Sequence, residues 1–181
     1  MNRFFSVVKD HTSNLYIADY TLQSNGQKKV QISNTPFTNI PFFSINNPTN
    51  HFFQSVNFEK NKLKNCSGNL IKQCECLCAS RDNNGWICLI ELKYCTAKNI
   101  RGNVSVAYQQ LVSTYNFIKS KNVLAGRKLI YLIFSLPEHN RAPFENFIFT
   151  QAELQRIRRS EGYIIRGINS IEIENATHLK V

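Results

Sequence analysis

The stretch "CECLCASRDNNGWICLIELKYC", Cys74 to Cys95, decides how this chain is read. With the two residues before it, "KQCECLCAS" reads as a β-strand, "RDNNG" as a turn and "WICLIELKYC" as a second strand rich in apolar residues, with the Ile, Trp and Tyr that favour sheets. A three-residue loop with Gly85 at the left-handed position fits a hairpin. That register sets Arg81 opposite Gly85, Cys78 opposite Cys88, Cys76 opposite Ile90 and Cys74 opposite Leu92. The alternate pairs are Ala79–Ile87, Leu77–Leu89 and Glu75–Glu91. One face is then wholly apolar: Cys74, Cys76, Cys78, Cys88, Ile90 and Leu92. The other is apolar near the turn and carries Glu75, Glu91 and Lys93 at its far end, because residues two apart on a strand share a face. Like charges directly opposite one another destabilise a sheet, and buried charge is costly unless paired or bound to metal. A divalent cation between Glu75 and Glu91 removes the penalty, and a hard ion such as Mg²⁺ prefers carboxylate oxygens. Lys93 beside it could hold an anionic substrate group or help activate water.

Working outward, "NLYIADYTLQ" and "KKVQISN" predict two strands around a turn at Ser24-Asn25-Gly26. "TPFTNIPFFSINNPTNHFF", with Pro36, Pro41 and Pro48 and many Asn, predicts an irregular, loop-rich segment. "FFQSVNFEKNKLKN" fits a short helix or an extended arm equally. "NVSVAYQQLVSTYNFIKSKN" spaces Val106, Leu111, Tyr115 and Ile118 as one face of an amphipathic helix ending near Lys121. "RKLIYLIFSLP" is a near-continuous apolar run, the mark of a central strand buried on both faces. "FTQAELQRIRRSEG" predicts a helix with Thr150 as N-cap, Glu153 closing a capping box and Gly162 as the stop. "YIIRGINSIEI" predicts a last strand interrupted at Gly167. The expectation is an α/β fold, a mixed central β-sheet flanked by helices with an N-terminal hairpin extension, in one domain over residues 1–181.

Composition bounds the partners. Twenty-two Lys and Arg against twelve Asp and Glu give a net charge of +10, which suits a polyanion such as nucleic acid. "MNRFFSVVKDH" has too short an apolar run for a signal peptide, and no segment reaches the length of a membrane span. The expectation is a cytoplasmic protein with no membrane partner, its six cysteines reduced. Cys74, Cys76 and Cys78 are spaced by one along a strand, which spreads their sulfurs over about 13 Å. They suit small buried hydrophobes better than a zinc site, with Cys66 and Cys95 as further zinc candidates.

An acid on one strand, Glu-x-Lys on the strand paired with it, then a helix and a further strand resembles the PD-(D/E)xK nuclease superfamily, with its restriction-endonuclease-like fold. The resemblance covers residues 59–135 as the nuclease core. It implies that Glu75 and Glu91 bind Mg²⁺, with Mn²⁺ as a substitute, and that the Leu92 carbonyl is a further ligand. It implies Lys93 beside the attacking water and the scissile phosphate. An acid on the preceding helix would be Glu59. Cys74-Glu75 stands where the family has Pro-Asp. Some of these nucleases carry Gln-x-x-x-Tyr on the following helix; here Gln110 is followed by Thr114, and Tyr115 comes one place late. The function implied is metal-dependent hydrolysis of nucleic acid, DNA ahead of RNA, with a homodimer open. The alternative is a non-catalytic nucleic-acid- or protein-binding module on the same fold, its charges lying on a solvated strand face. Lys60, Lys62 and Lys64 before the hairpin, Gln110, Arg141 in "PEHNRAP", and Arg156, Arg158 and Arg159 on the last helix are the candidates for nucleic-acid contact. His139 in the same loop as Arg141 is a candidate proton shuttle.

Overall fold

The computed structural model describes residues 4–27 and 29–181. In chain order its strands are β1 (Lys9–His11), β2 (Leu15–Asp19), β3 (Val30–Ser33), β4 (Phe43–Asn46), β5 (Phe53–Asn57), β6 (Cys76–Ser80), β7 (Trp86–Leu92), β8 (Leu129–Ser135), β9 (Ile164–Gly167), β10 (Ser170–Ile173) and β11 (Leu179–Lys180). Two α-helices join the parallel strands: α1 (Ile100–Ser120) links β7 to β8, and α2 (Gln151–Glu161) links β8 to β9. A six-stranded sheet runs β1-β5-β6-β7-β8-β9, and a five-stranded sheet runs β11-β10-β4-β2-β3. In the larger sheet β1, β5, β6 and β7 are antiparallel neighbours, and the sheet becomes parallel at β8, where helical crossovers take over from hairpins.

The class is α/β with a mixed sheet, as the sequence predicts. The flanking layers differ from the expectation. Helices cover only one face of the larger sheet, and the smaller sheet covers the other. The reason lies in the two central strands. Ile87, Leu89, Leu132 and Phe134 pack against Val104, Ala107 and Leu111 of α1. The alternate residues Trp86, Cys88, Ile90, Tyr131 and Ile133 are just as apolar and pack against Leu15, Ile17, Phe43, Ile45 and Ile171 of the smaller sheet. Two apolar faces require two covers.

The expected hairpin at residues 14–34 forms as β2 and β3, with Ile17 opposite Ile32, and Asn25 and Gly26 turn at positive φ. Lys28, the first residue of the expected second strand, lies outside the described residues, as do residues 1–3 of the stretch read for a leader. The Pro- and Asn-rich segment is not all loop. Its Phe43–Asn46 forms β4, which pairs with both β2 and β10. The segment that fitted helix or arm supplies β5. The helix α2 keeps its full capping box, Thr150 with Glu153, and ends on left-handed Gly162. Among the described residues no helix is long and apolar enough to cross a membrane.

The interrupted last strand proves to be two strands in two sheets. Gly167 ends β9, and the chain then crosses to β10 in the smaller sheet. The Gly167 N–H donates to the buried Glu145 carboxylate at 2.6 Å. A Cβ on Gly167 would lie 2.5 Å from Phe134 and 2.6 Å from the Glu145 nitrogen. Gly167→Ala is therefore expected to cost about 1–3 kcal/mol through overpacking, read as a lower urea midpoint at unchanged slope; an unchanged midpoint would refute the close approach.

Candidate active site

The row that Ile87 and Leu89 begin on the α1 face of β7 continues to Glu91 and Lys93. Glu91 is fully buried, at 0% exposure, and the Lys93 side chain is 19% exposed. The backbone N–H of Lys93 donates to the Ser135 carbonyl of β8 at 2.9 Å, so the residue is held in line beyond the end of β7. Its ammonium donates to Glu91 Oε1 at 2.5 Å and to Gln110 Oε1 at 2.7 Å. Gln110 projects from the middle of α1, which crosses this end of the sheet. A cation with two oxygen partners on rigid elements is fixed in direction, and a carboxylate buried beside it is compensated.

The predicted register holds for four pairs: Cys76–Ile90, Leu77–Leu89, Cys78–Cys88 and Ala79–Ile87. It slips at Glu75. The Glu75 N–H donates to the Ile90 carbonyl at 3.0 Å, although Ile90 is already the partner of Cys76. Two residues of one strand thus oppose one of the other, which is a β-bulge. Glu75 therefore lies opposite Ile90 and next to Glu91, instead of directly facing it. Its own carbonyl stays in register with β5, accepting from the Phe58 N–H at 3.0 Å. Cys74 is thrown onto the α1 face, packing with Leu77 and Leu89, while Cys76 and Cys78 face the smaller sheet. The expected pairing of Cys74 with Leu92 is lost for this reason.

The strand before the bulge bonds to the helix instead of to β7. Thr114 Oγ1 accepts the Cys74 N–H at 2.9 Å and donates to the Gln110 carbonyl at 2.9 Å. The Gln110 amide donates to the Gln73 carbonyl at 3.2 Å. Both polar groups of the 73–74 peptide, the Gln73 carbonyl and the buried Cys74 N–H, are thus satisfied by α1 side chains. The ladder of β6 with β7 consequently ends at Ile90. The Leu92 backbone groups, which point to the β6 side as those of Ile90 do, are left out of it. Its side chain is buried between the sheets. The Glu75 carboxylate is buried as well, at 3% exposure.

The other candidates lie as follows. Among the described residues no α-helix precedes β6: Glu59 sits in a turn after β5, and its Oε2 accepts the Val30 N–H of β3 at 2.6 Å. Its carboxylate serves the join between the two sheets, and it stands in a turn where the resemblance implies a helix. Lys60, Lys62 and Lys64 are exposed on the β5–β6 connection, Arg141 on the loop after β8, and Arg156, Arg158 and Arg159 on the outer face of α2. Gln110 reaches Lys93, with its side chain already committed. Tyr115, one place after Thr114, donates to the Glu161 carbonyl of α2 at 2.8 Å and braces the helices together. His139 Nε2 lies 2.6 Å from the Cys95 carbonyl, so that nitrogen carries the proton and holds a loop. The cysteines form no disulfide among the described residues, with Cys66 exposed and Cys74 on the opposite face of the sheet from Cys76, Cys78 and Cys88. Among the described residues no group of three or more His, Cys, Asp and Glu is placed to hold a metal ion.

Sequence reasoning missed Gln73 and Thr114. Thr114 was visible at four residues after Gln110, but nothing local says that its hydroxyl will replace a strand partner. Comparisons of the chain with protein-family models, curated proteins and solved structures give no match. Thr114→Val keeps the shape and leaves the buried Cys74 N–H unsatisfied, so it is expected to lose about 1–3 kcal/mol in urea unfolding. Thr114→Ser should retain most of that stability; equal loss in both would show that the methyl, and not the hydroxyl, matters.

Proposed function

We propose that this chain is a metal-dependent nuclease that hydrolyses phosphodiester bonds in nucleic acid, DNA ahead of RNA, at Glu75, Glu91 and Lys93. The observation that carries the reading is the fixing of Lys93 between Glu91 and Gln110, beside a bulge that brings Glu75 next to Glu91. The run of strand, acid-bearing strand, Glu-x-Lys strand, helix α1 and parallel strand β8 supports the restriction-endonuclease-like reading of residues 59–135. So does the net charge of +10.

Glu75, Glu91 and the Leu92 carbonyl offer hard oxygen donors. That suits Mg²⁺ or Mn²⁺, which bind through one or two carboxylates and complete their shell with water and substrate phosphate. Such an ion supplies Lewis acidity to the phosphoryl oxygens and lowers the pKa of a bound water. Lys93 directs its remaining N–H toward the phosphate, where negative charge builds as the water oxygen attacks phosphorus and the bond to the leaving oxygen breaks. The proton lost by the water ends on solvent or on the leaving oxygen. Gln110 holds the ammonium in one direction, so no reorganisation is needed at the moment of reaction. A cytoplasmic setting, with the thiols reduced, and action as monomer or homodimer belong to the same proposal.

The complete burial of Glu91 favours a second reading, a non-catalytic binding module in which Glu91 and Lys93 are a structural ion pair. Cleavage assays on single- and double-stranded DNA and RNA with Mg²⁺ or Mn²⁺ decide. The nuclease reading expects wild-type cleavage abolished by EDTA and reduced at least about 10²-fold in Glu91→Ala and in Lys93→Ala. Full cleavage by both variants would displace the site, and no cleavage of any substrate by wild type would favour the binding module.

A further inference from the structure

From β5 to the bulge the chain runs "KNKLKNCSGNLIK", residues 60–72, with four lysines and no acid. Its fold turns that composition into an ordered surface. Asn61 is buried and saturated: its amide donates to the Val7 and Asn57 carbonyls at 3.1 and 3.0 Å, and its oxygen accepts from the Val7 N–H and Ser6 hydroxyl at 3.1 and 3.0 Å. Leu63 is buried in the main core. Anchoring Asn61 and Leu63 inward leaves Lys60, Lys62 and Lys64 all outward and exposed. Lys60 closes the turn after β5, while Lys62 and Lys64 lie on the stretch beyond it, where alternate residues of an extended chain stand about 6–7 Å apart, comparable with successive phosphates along an extended single strand.

The segment then returns on itself. Lys64 bridges to Leu70, the Ile71 N–H donates to the Leu63 carbonyl at 3.1 Å, and the Asn65 side chain accepts the Ser67 and Asn69 N–H groups at 3.0 and 2.9 Å. The result is a stapled arm with Cys66 at its tip. Gln73 locks the base of the arm, accepting the Leu63 N–H at 2.8 Å, and its carbonyl is the one held by Gln110. The arm is therefore rigidly joined to the side chain that orients Lys93. Beside its lysines lies a groove of about 340 Å³ lined by Phe4, Phe5, Phe117 and Lys60, Lys62 and Lys64. Phe4 is exposed and Phe117 half-buried, their rings 6.2 Å apart, with the Lys121 ammonium 5.8 Å from the Phe117 ring.

We infer that this arm and groove form a clamp for single-stranded nucleic acid: Lys60, Lys62 and Lys64 take successive phosphates, and Phe117 with Phe4 receives a base. The inference rests on the nuclease reading for what happens to the strand once held. A row of cations along an aromatic floor is the combination that single strands use, since every base has a face to stack. The net charge of +10 supplies the long-range attraction.

The test is fluorescence anisotropy in EDTA, which excludes cleavage, with labelled oligothymidylate and with its duplex with oligoadenylate, across a salt series. Wild type should bind the single strand more tightly than the duplex. The triple variant Lys60→Ala, Lys62→Ala, Lys64→Ala should flatten the slope of log K against log salt by about 2, since each single-strand phosphate contact contributes about 0.7. Phe117→Leu should weaken binding about five-fold or more at unchanged slope, with thermal melting confirming that both variants fold. Unchanged affinity and slope in the triple variant overturns the clamp. So does duplex binding as tight as single-strand binding together with a silent Phe117→Leu. Binding with the expected signature but no cleavage under any condition would sink the nuclease reading alone; cleavage with binding indifferent to the lysines would sink the clamp alone.

Discussion

The arrangement depends on a pair of helix side chains satisfying backbone that a strand would otherwise satisfy. The Cys74 N–H is buried and must be paired, and the Gln73 carbonyl of the same peptide is half-buried. Gln110 and Thr114 take them at 3.2 and 2.9 Å. Because α1 holds these groups, the strand need not stay beside β7 beyond Ile90. The bulge at Glu75 and the transfer of Cys74 to the helix face go with that exchange. The same Gln110 side chain then turns its oxygen to Lys93. One half-buried residue thus meets the strand before the bulge with its amide nitrogen and aims an ammonium with its oxygen.

The two-sided burial of the central strands sets the remaining constraint. Trp86 to Leu92 is buried throughout, so any charge on its inner row must sit among apolar neighbours. Glu91 does so with Ile87 and Leu89 behind it. Low effective permittivity there strengthens the ion pair with Lys93 and equally penalises its loss. The smaller sheet matters at a distance: by covering the Cys76, Cys88 and Ile90 face, it commits the other face to α1, and so commits Glu91 and Lys93 to the helix side. Had helices covered both faces, as the sequence alone suggests, that assignment would follow just as well, so the wrong cover left the site legible.

What was legible follows from how local each signal is. The hairpin register over four pairs came from strict alternation about a short turn, written within a dozen residues, although Gly85 does not take the left-handed conformation expected of it. The capping box of α2 is local in the same way. The bulge is not: it arises because Thr114, some forty residues on, competes for a backbone N–H, and alternation has no term for that. The strand β4 was hidden because prolines flank it, although Phe43 and Ile45 alternate as buried residues should. Gly167 was visible as an interruption, but the crossing into another sheet depends on the Glu145 carboxylate receiving its N–H. The turn that carries Glu59 was hidden for a comparable reason, since only the meeting of the two sheets shows that its carboxylate is engaged by Val30.

The charge count of the site bears on the proposed chemistry. Counted by formal charge, two carboxylates and one ammonium carry one net negative charge. A divalent cation would reverse it to one positive, and a phosphodiester would return the whole to neutrality. In a buried setting the neutral combination is the cheapest to hold. On the proposed reading, ion and substrate therefore favour one another's binding, and the coupling is reciprocal. Lys93 is what makes this so. Without its charge, the two carboxylates and the ion alone would already be neutral, and an arriving phosphodiester would leave the buried site negative. The lysine thus shifts the point of neutrality from the ion-loaded site to the ion- and substrate-loaded one. Gln110, neutral and hydrogen-bonded, holds that charge in place without altering the count.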